Sequence, residues 1–75
     1  RKEKVNMDYI SWSNEYMEEA EKIYAVIEKK KKILPHATAD NKKIINEDII
    51  KLRSIYRECI EISKILRERA KSNAA

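Results

Sequence analysis

The chain has no glycine, no phenylalanine, one proline, one cysteine and one histidine in 75 residues. Each shortage excludes something. Without glycine, two-residue β-hairpin turns and the loops that cradle phosphates lose the residue that supplies their positive φ angles and close backbone approach. One cysteine builds no disulfide framework, so a reducing, cytoplasmic setting is the expectation. His36 and Cys59 stand alone, and the Glu-x-x-His pair of di-iron bundles is missing, so no metal site is expected. No nucleophile–base pair or cofactor-binding signature is present, and neither enzymatic activity nor a cofactor is expected. No apolar run approaches the ~20 residues of a membrane span. No signal peptide is visible and no membrane association is expected. The chain opens on Arg1 rather than a start methionine, as expected of an excerpt or of a chain that lacks a disordered lead.

What is present is charge and helix-forming residues. Charged residues make up 40% and hydrophobic residues 43%, with a net charge of +4. This is a helix-rich, water-facing composition on a chain long enough for one small domain. The modest positive charge permits acidic partners without demanding them.

The stretch Ile33–Asn41 is the clear interruption. Pro35 lacks an N–H and its ring clashes with the preceding turn of a helix, so a helix should end near Ile33. Lys29, Lys30, Lys31 and Lys32 precede it, where cations suit the negative end of the helix dipole. Thr38 and Asp40 are good N-cap residues for a second helix. A later start at Asn46, with Glu47 and Asp48 in the first turn, fits less well because the apolar spacing already runs through Ile45. At the other end Asn6 is a candidate N-cap, with Val5 and Ile10 placed for a hydrophobic staple. The expectation is one all-α domain over residues 1–75, an antiparallel two-helix hairpin: a helix over about 7–33, a turn over 34–39 and a helix over 40–70. Arg1–Lys4 and Lys71–Ala75 are expected to fray.

Apolar spacing defines the faces. In the first helix one stripe runs Ile10, Met17, Ala20, Tyr24, Ile27 and Leu34, with Ser13 and Lys31 in the same spacing. A second stripe runs Tyr9, Trp12, Tyr16, Ile23 and Val26. In the second helix Ile45, Leu52, Cys59 and Leu66 recur every seventh residue, with Ile49, Ile55, Tyr56 and Ile62 between them. Ile55 and Ile62 are taken as the interleaved half of this heptad-like seam. Antiparallel pairing sets the acidic run Glu15–Glu21 beside the basic second half of the second helix, which favours that orientation. Glu47–Lys51, Arg57–Glu61 and Lys64–Glu68 are placed for pairing along the wet side.

Each helix is apolar over more than the seam of one pair requires. The hairpin should therefore complete a four-helix bundle, either as a homodimer or with a helical protein partner. The layout resembles that of small helical adaptors, with no motif that singles out a family. The Trp-x-Gly turn of small secreted helical hairpins is not met, because Trp12 falls in the first helix and there is no glycine. A structural or regulatory protein–protein interaction module is the expected function. The interface residues are Trp12, Tyr16 and Ile23 from the second stripe, with Ile55, Ile62 and Leu66 from the seam.

The remaining candidates have simpler readings. Cys59 reads as a small buried apolar residue rather than a nucleophile, and His36 as an exposed loop residue. Glu15, Glu18, Glu19 and Glu21 read as a solvated helix face rather than a carboxylate metal site. Trp12, Tyr9 and Tyr16 read as core or interface rather than a base-stacking platform. The lysines flanking the turn are the strongest alternative. Lys30 and Lys31 before it, with Lys42 and Lys43 after it, gather at one tip and could hold nucleic-acid phosphates or an acidic partner. Satisfying the helix dipole and keeping the tip soluble accounts for them more simply.

Overall fold

In a computed structural model the chain forms two long helices, α1 (Lys2–Ile33) and α2 (Ala39–Ala74), joined through a 3₁₀ turn at Leu34–His36. The structure describes the backbone of residues 2–74 and the side chains of residues 8–72. The two helices run antiparallel as one hairpin, with Ser13 meeting Ser63 at the open end and Lys30 meeting Asp48 near the turn.

Both helices are longer than expected. α1 begins at Lys2, so Asn6 lies within the helix instead of capping it, and α2 continues past Ala70. Neither extension meets a proline or glycine, and Lys, Glu and Ala sustain a helix. The expected Val5–Ile10 staple involves a side chain outside the described ones, and the expected fraying at Arg1 and Ala75 falls outside the described residues.

The break falls where the proline puts it. Pro35 takes one of the first positions of the 3₁₀ turn, where its missing N–H is not needed. Ala37 is extended (φ −84°, ψ 157°), and its N–H donates to the Leu34 carbonyl at 3.2 Å. Thr38 then starts α2. Its hydroxyl oxygen accepts the Asn41 N–H at 3.3 Å, and its carbonyl accepts the Lys42 N–H at 2.8 Å. This is a side-chain N-cap with the first intrahelical bond already made. It fixes the earlier of the two starts considered above. At 1.5 Å per residue the 36 residues of α2 should span about 54 Å. The Cα trace measures 55 × 14 × 13 Å, so the helices lie straight and side by side along their length.

The seam follows a strict three-four alternation in α2. Ile49, Cys59, Ser63, Leu66 and Ala70 are buried there, with Ile45, Leu52 and Tyr56 half-buried between them. On α1 the buried line is Ser13, Ala20 and Ile27, continued by half-buried Leu34. Half-buried Met17 flanks it on one side, and Tyr9 and Ile23 flank it on the other.

Two expectations about the seam need correction. Ile55 and Ile62 are 46% and 36% exposed, so the interleaved line is Ile49, Tyr56, Ser63 and Ala70 instead. On α1, Ile10 and Tyr24 are 47% and 53% exposed and lie outside the seam. The less apolar line in α2 wins because its side chains are small. Ser63 and Ala70 on one helix, with Ser13 and Ala20 on the other, let the backbones approach. Isoleucines in the same places would hold the helices apart.

At the open end the seam is polar. Ser13 and Ser63 are 0% and 2% exposed. The Ser13 hydroxyl donates toward the Ser63 carbonyl at 3.1 Å, and the Ser63 hydroxyl donates toward the Ser13 carbonyl at 3.2 Å. The two hydroxyl oxygens are 2.8 Å apart, and Arg67 Nε donates to Ser13 Oγ at 2.9 Å. No buried side-chain polar atom among the described residues is left unpaired. The cluster therefore meets the condition under which burying polar groups is tolerable.

Ion pairing is sparser than the charge pattern suggests. Among the described residues, Lys30–Asp48 joins the helices at 3.3 Å and Lys31–Glu28 lies along α1 at 3.3 Å. The expected pairs Glu47–Lys51, Arg57–Glu61 and Lys64–Glu68 are not closed. None of the glutamates in Glu15–Glu21 is paired with an α2 cation. Exposed pairs gain little over hydration, and their long side chains keep rotamer freedom apart.

Candidate docking face

A concavity lies on one flank of the hairpin near its open end. It is an open groove of about 520 Å³ lined by Trp12, Glu15, Tyr16, Glu19, Ile62 and Leu66. Leu66 is buried in the seam and forms the floor. Trp12, 51% exposed, and Tyr16, 37% exposed, form the α1 wall, and Ile62 forms the α2 wall. Trp12 is steadied by Tyr9, whose ring meets it edge-on at 6.1 Å and 79°.

Helix spacing extends this face toward the turn. Ile23 lies seven residues after Tyr16, and Ile55 seven before Ile62, so each continues its wall two helical turns further along. Because the helices are antiparallel, both continuations run the same way. Of the six residues expected at an interface, Trp12, Tyr16 and Ile62 line the groove over buried Leu66, and Ile23 and Ile55 continue its two sides toward the turn. Ile55 and Ile62 reach this flank because they lie outside the seam.

The opposite flank is more mixed. Tyr24 and Tyr56 pack there with ring centres 5.9 Å apart at 44°, beside Met17 and Ile60. A smaller pocket of about 300 Å³ sits next to them, edged by Arg53, Arg57, Lys31 and Glu28. Sequence reading placed Tyr24 in the seam, where it is 53% exposed instead, and missed this pocket beside it. The signal available was the recurrence of Arg53, Arg57, Lys64 and Arg67 at three-, four- and seven-residue intervals along α2.

The lysine-rich tip is partly neutralised. Lys30 donates to Asp48 and Lys31 to Glu28, whereas Lys42, Lys43 and His36 are exposed. The four lysines lie at the turn end as expected, but two already hold carboxylates. Cys59 is buried as a free thiol in the seam. Among the described residues no three His, Cys, Asp or Glu side chains gather as a metal site would need, and no helix is long and apolar enough to cross a membrane.

No protein-family model matches the chain, and no curated protein or solved structure matches it either.

Proposed function

We propose that this hairpin is a helical protein–protein interaction module, structural or regulatory in role, that completes a four-helix bundle through the Trp12–Ile62 flank. One observation carries the reading. The side chains Trp12, Tyr16, Ile55 and Ile62 stay 36–51% exposed on a single flank around an open apolar groove. A contiguous apolar patch of this kind marks an association surface, whereas scattered exposed isoleucines do not. An aromatic pair at the groove, with aliphatic walls and glutamates at the rim, is also the usual anatomy of such a surface.

Sedimentation equilibrium of the chain at micromolar concentration tests it. A dimer or larger species is expected, with helix content that falls on dilution. A monomer that melts in one cooperative transition would show that the hairpin needs no partner, and would refute the reading.

A further inference from the structure

We infer that the groove is filled by a second copy of this chain in one particular orientation: α1 lies antiparallel to α1 of the partner, across a twofold axis near residues 18 and 19. This rests on the association reading above and adds the occupant, the orientation and the register.

The charge order along α1 carries the inference. From Asp8 to Glu21 the helix holds five carboxylates and no cation, and from Lys22 to Lys32 it holds five lysines and one glutamate. Such a helix repels a parallel copy of itself and attracts an antiparallel one. The row that edges the groove repeats the pattern. Glu15 lines the groove, and Asp8, Lys22 and Lys29 lie on the same heptad line, all four exposed. Among the described residues none of the four has an ion-pair partner within the hairpin. Antiparallel overlap sets Glu15 against the partner's Lys22 and Asp8 against the partner's Lys29, each contact made twice. Arg1, Lys2, Glu3 and Lys4 sum to +2 and fall outside this paired stretch.

α2 offers no competing preference. Its first half, Asp40–Tyr56, holds three carboxylates and four cations, and its second half, Arg57–Ser72, three and five. Placing α1 against the partner's α2 would match only the acidic half of α1 with an excess of cations and would set its lysine half against another. Charges at a rim contribute modestly to affinity, but like-charge contacts discriminate strongly between orientations. The twofold also brings Glu19 near the partner's Glu18 and the partner's Glu19, a repulsive contact at the axis.

Disulfide trapping tests the register. In a Cys59→Ala background, Glu15→Cys and Lys22→Cys are made separately, and the dimer mass of each is confirmed by sedimentation. Mixed and mildly oxidised, they should give the Glu15→Cys/Lys22→Cys heterodisulfide and little of either homodisulfide. Homodisulfides of either variant, or dimers that form no bond between positions 15 and 22, would overturn the orientation while leaving association intact. A cooperative monomer would overturn both. Charge exchange gives a second readout. Glu15→Lys should weaken dimerisation several-fold, and Glu15→Lys with Lys22→Glu should restore it. Glu19→Gln should tighten the dimer, whereas weakening by Glu19→Gln would place a partner cation there and overturn the twofold.

Discussion

Replacing Ser13 by alanine probes how the buried cluster holds the open end. Three oxygen–oxygen separations between the two serines fall within hydrogen-bond range, at 3.1, 2.8 and 3.2 Å, but two hydroxyls carry only two protons. At any moment two of the three are hydrogen bonds. Ser13 Oγ also accepts from Arg67 Nε at 2.9 Å, a charged donor. A neutral hydrogen bond contributes about 1 kcal/mol net and one to a charged group about 1.5–3 kcal/mol. The Arg67 side chain is exposed and can return to water, which lowers its share. Ser13→Ala should therefore cost about 2 kcal/mol. Ser63→Ala should cost about 1 kcal/mol, because Ser13 can still donate to the Ser63 carbonyl and accept from Arg67. The double replacement leaves no hydroxyl without its partner, and should cost about 2 kcal/mol rather than the sum of the two. Urea unfolding followed by circular dichroism at one fixed protein concentration measures all three, since association makes stability concentration-dependent. Equal costs for the two single variants, or strict additivity in the double, would show that the serines pack without bonding and refute the argument.

Exposure separates two isoleucines in α2. Ile49→Asp places a charge at a position 6% exposed and should unfold the hairpin, whereas Ile55→Asp, at 46% exposed, should leave helicity intact and weaken only association. Circular dichroism with sedimentation reads both, and unfolding by Ile55→Asp would return Ile55 to the seam. Cys59, buried in that seam, should react slowly with a thiol reagent in buffer and rapidly in denaturant; equal rates would mean the seam is wrongly assigned. With Lys30 and Lys31 already holding carboxylates, binding to duplex DNA or RNA by fluorescence anisotropy should be weak. It should be lost between about 50 and 200 mM salt, and on changing Lys30, Lys31, Lys42 and Lys43 to glutamine. Salt-resistant binding would show that the Trp12 and Tyr16 surface reads bases.

The break at Pro35, the Thr38 cap and the heptad Ile45, Leu52, Cys59 and Leu66 were legible because each rests on local chemistry or on one apolar period. In the interleaved line Ile49 and Tyr56 were legible as well, but Ser63 and Ala70 were not. Ser63 and Ala70 carry no hydrophobic signal, so an apolar count prefers Ile55 and Ile62. Only the fit between two helices reveals that small side chains are wanted there. The six residues expected at an interface were reached by mixed reasoning. Trp12 and Tyr16, expected as a surplus stripe, stay exposed beside the seam, whereas Ile23 is half-buried against it. Ile55 and Ile62 were expected in the seam but lie outside it; Ile62 lines the groove, and Ile55 falls two turns beyond it. The start of α1 was missed because Asn6 has the chemistry of a cap, but nothing ahead of it stops a helix.

The serine cluster also bears on the order in which the hairpin closes. Lys30 and Asp48 are 18 residues apart in sequence, and Ser13 and Ser63 are 50 apart. Closing the longer loop directly costs about 0.9 kcal/mol more entropy, so the chain gains by zipping outward from the turn. The serines and Arg67 then meet late, after most of the apolar seam has formed. Bonds made after the rate-limiting step leave the folding rate unchanged and slow unfolding instead. The two serines thus act as a latch, setting how long a closed hairpin lasts rather than how fast it forms.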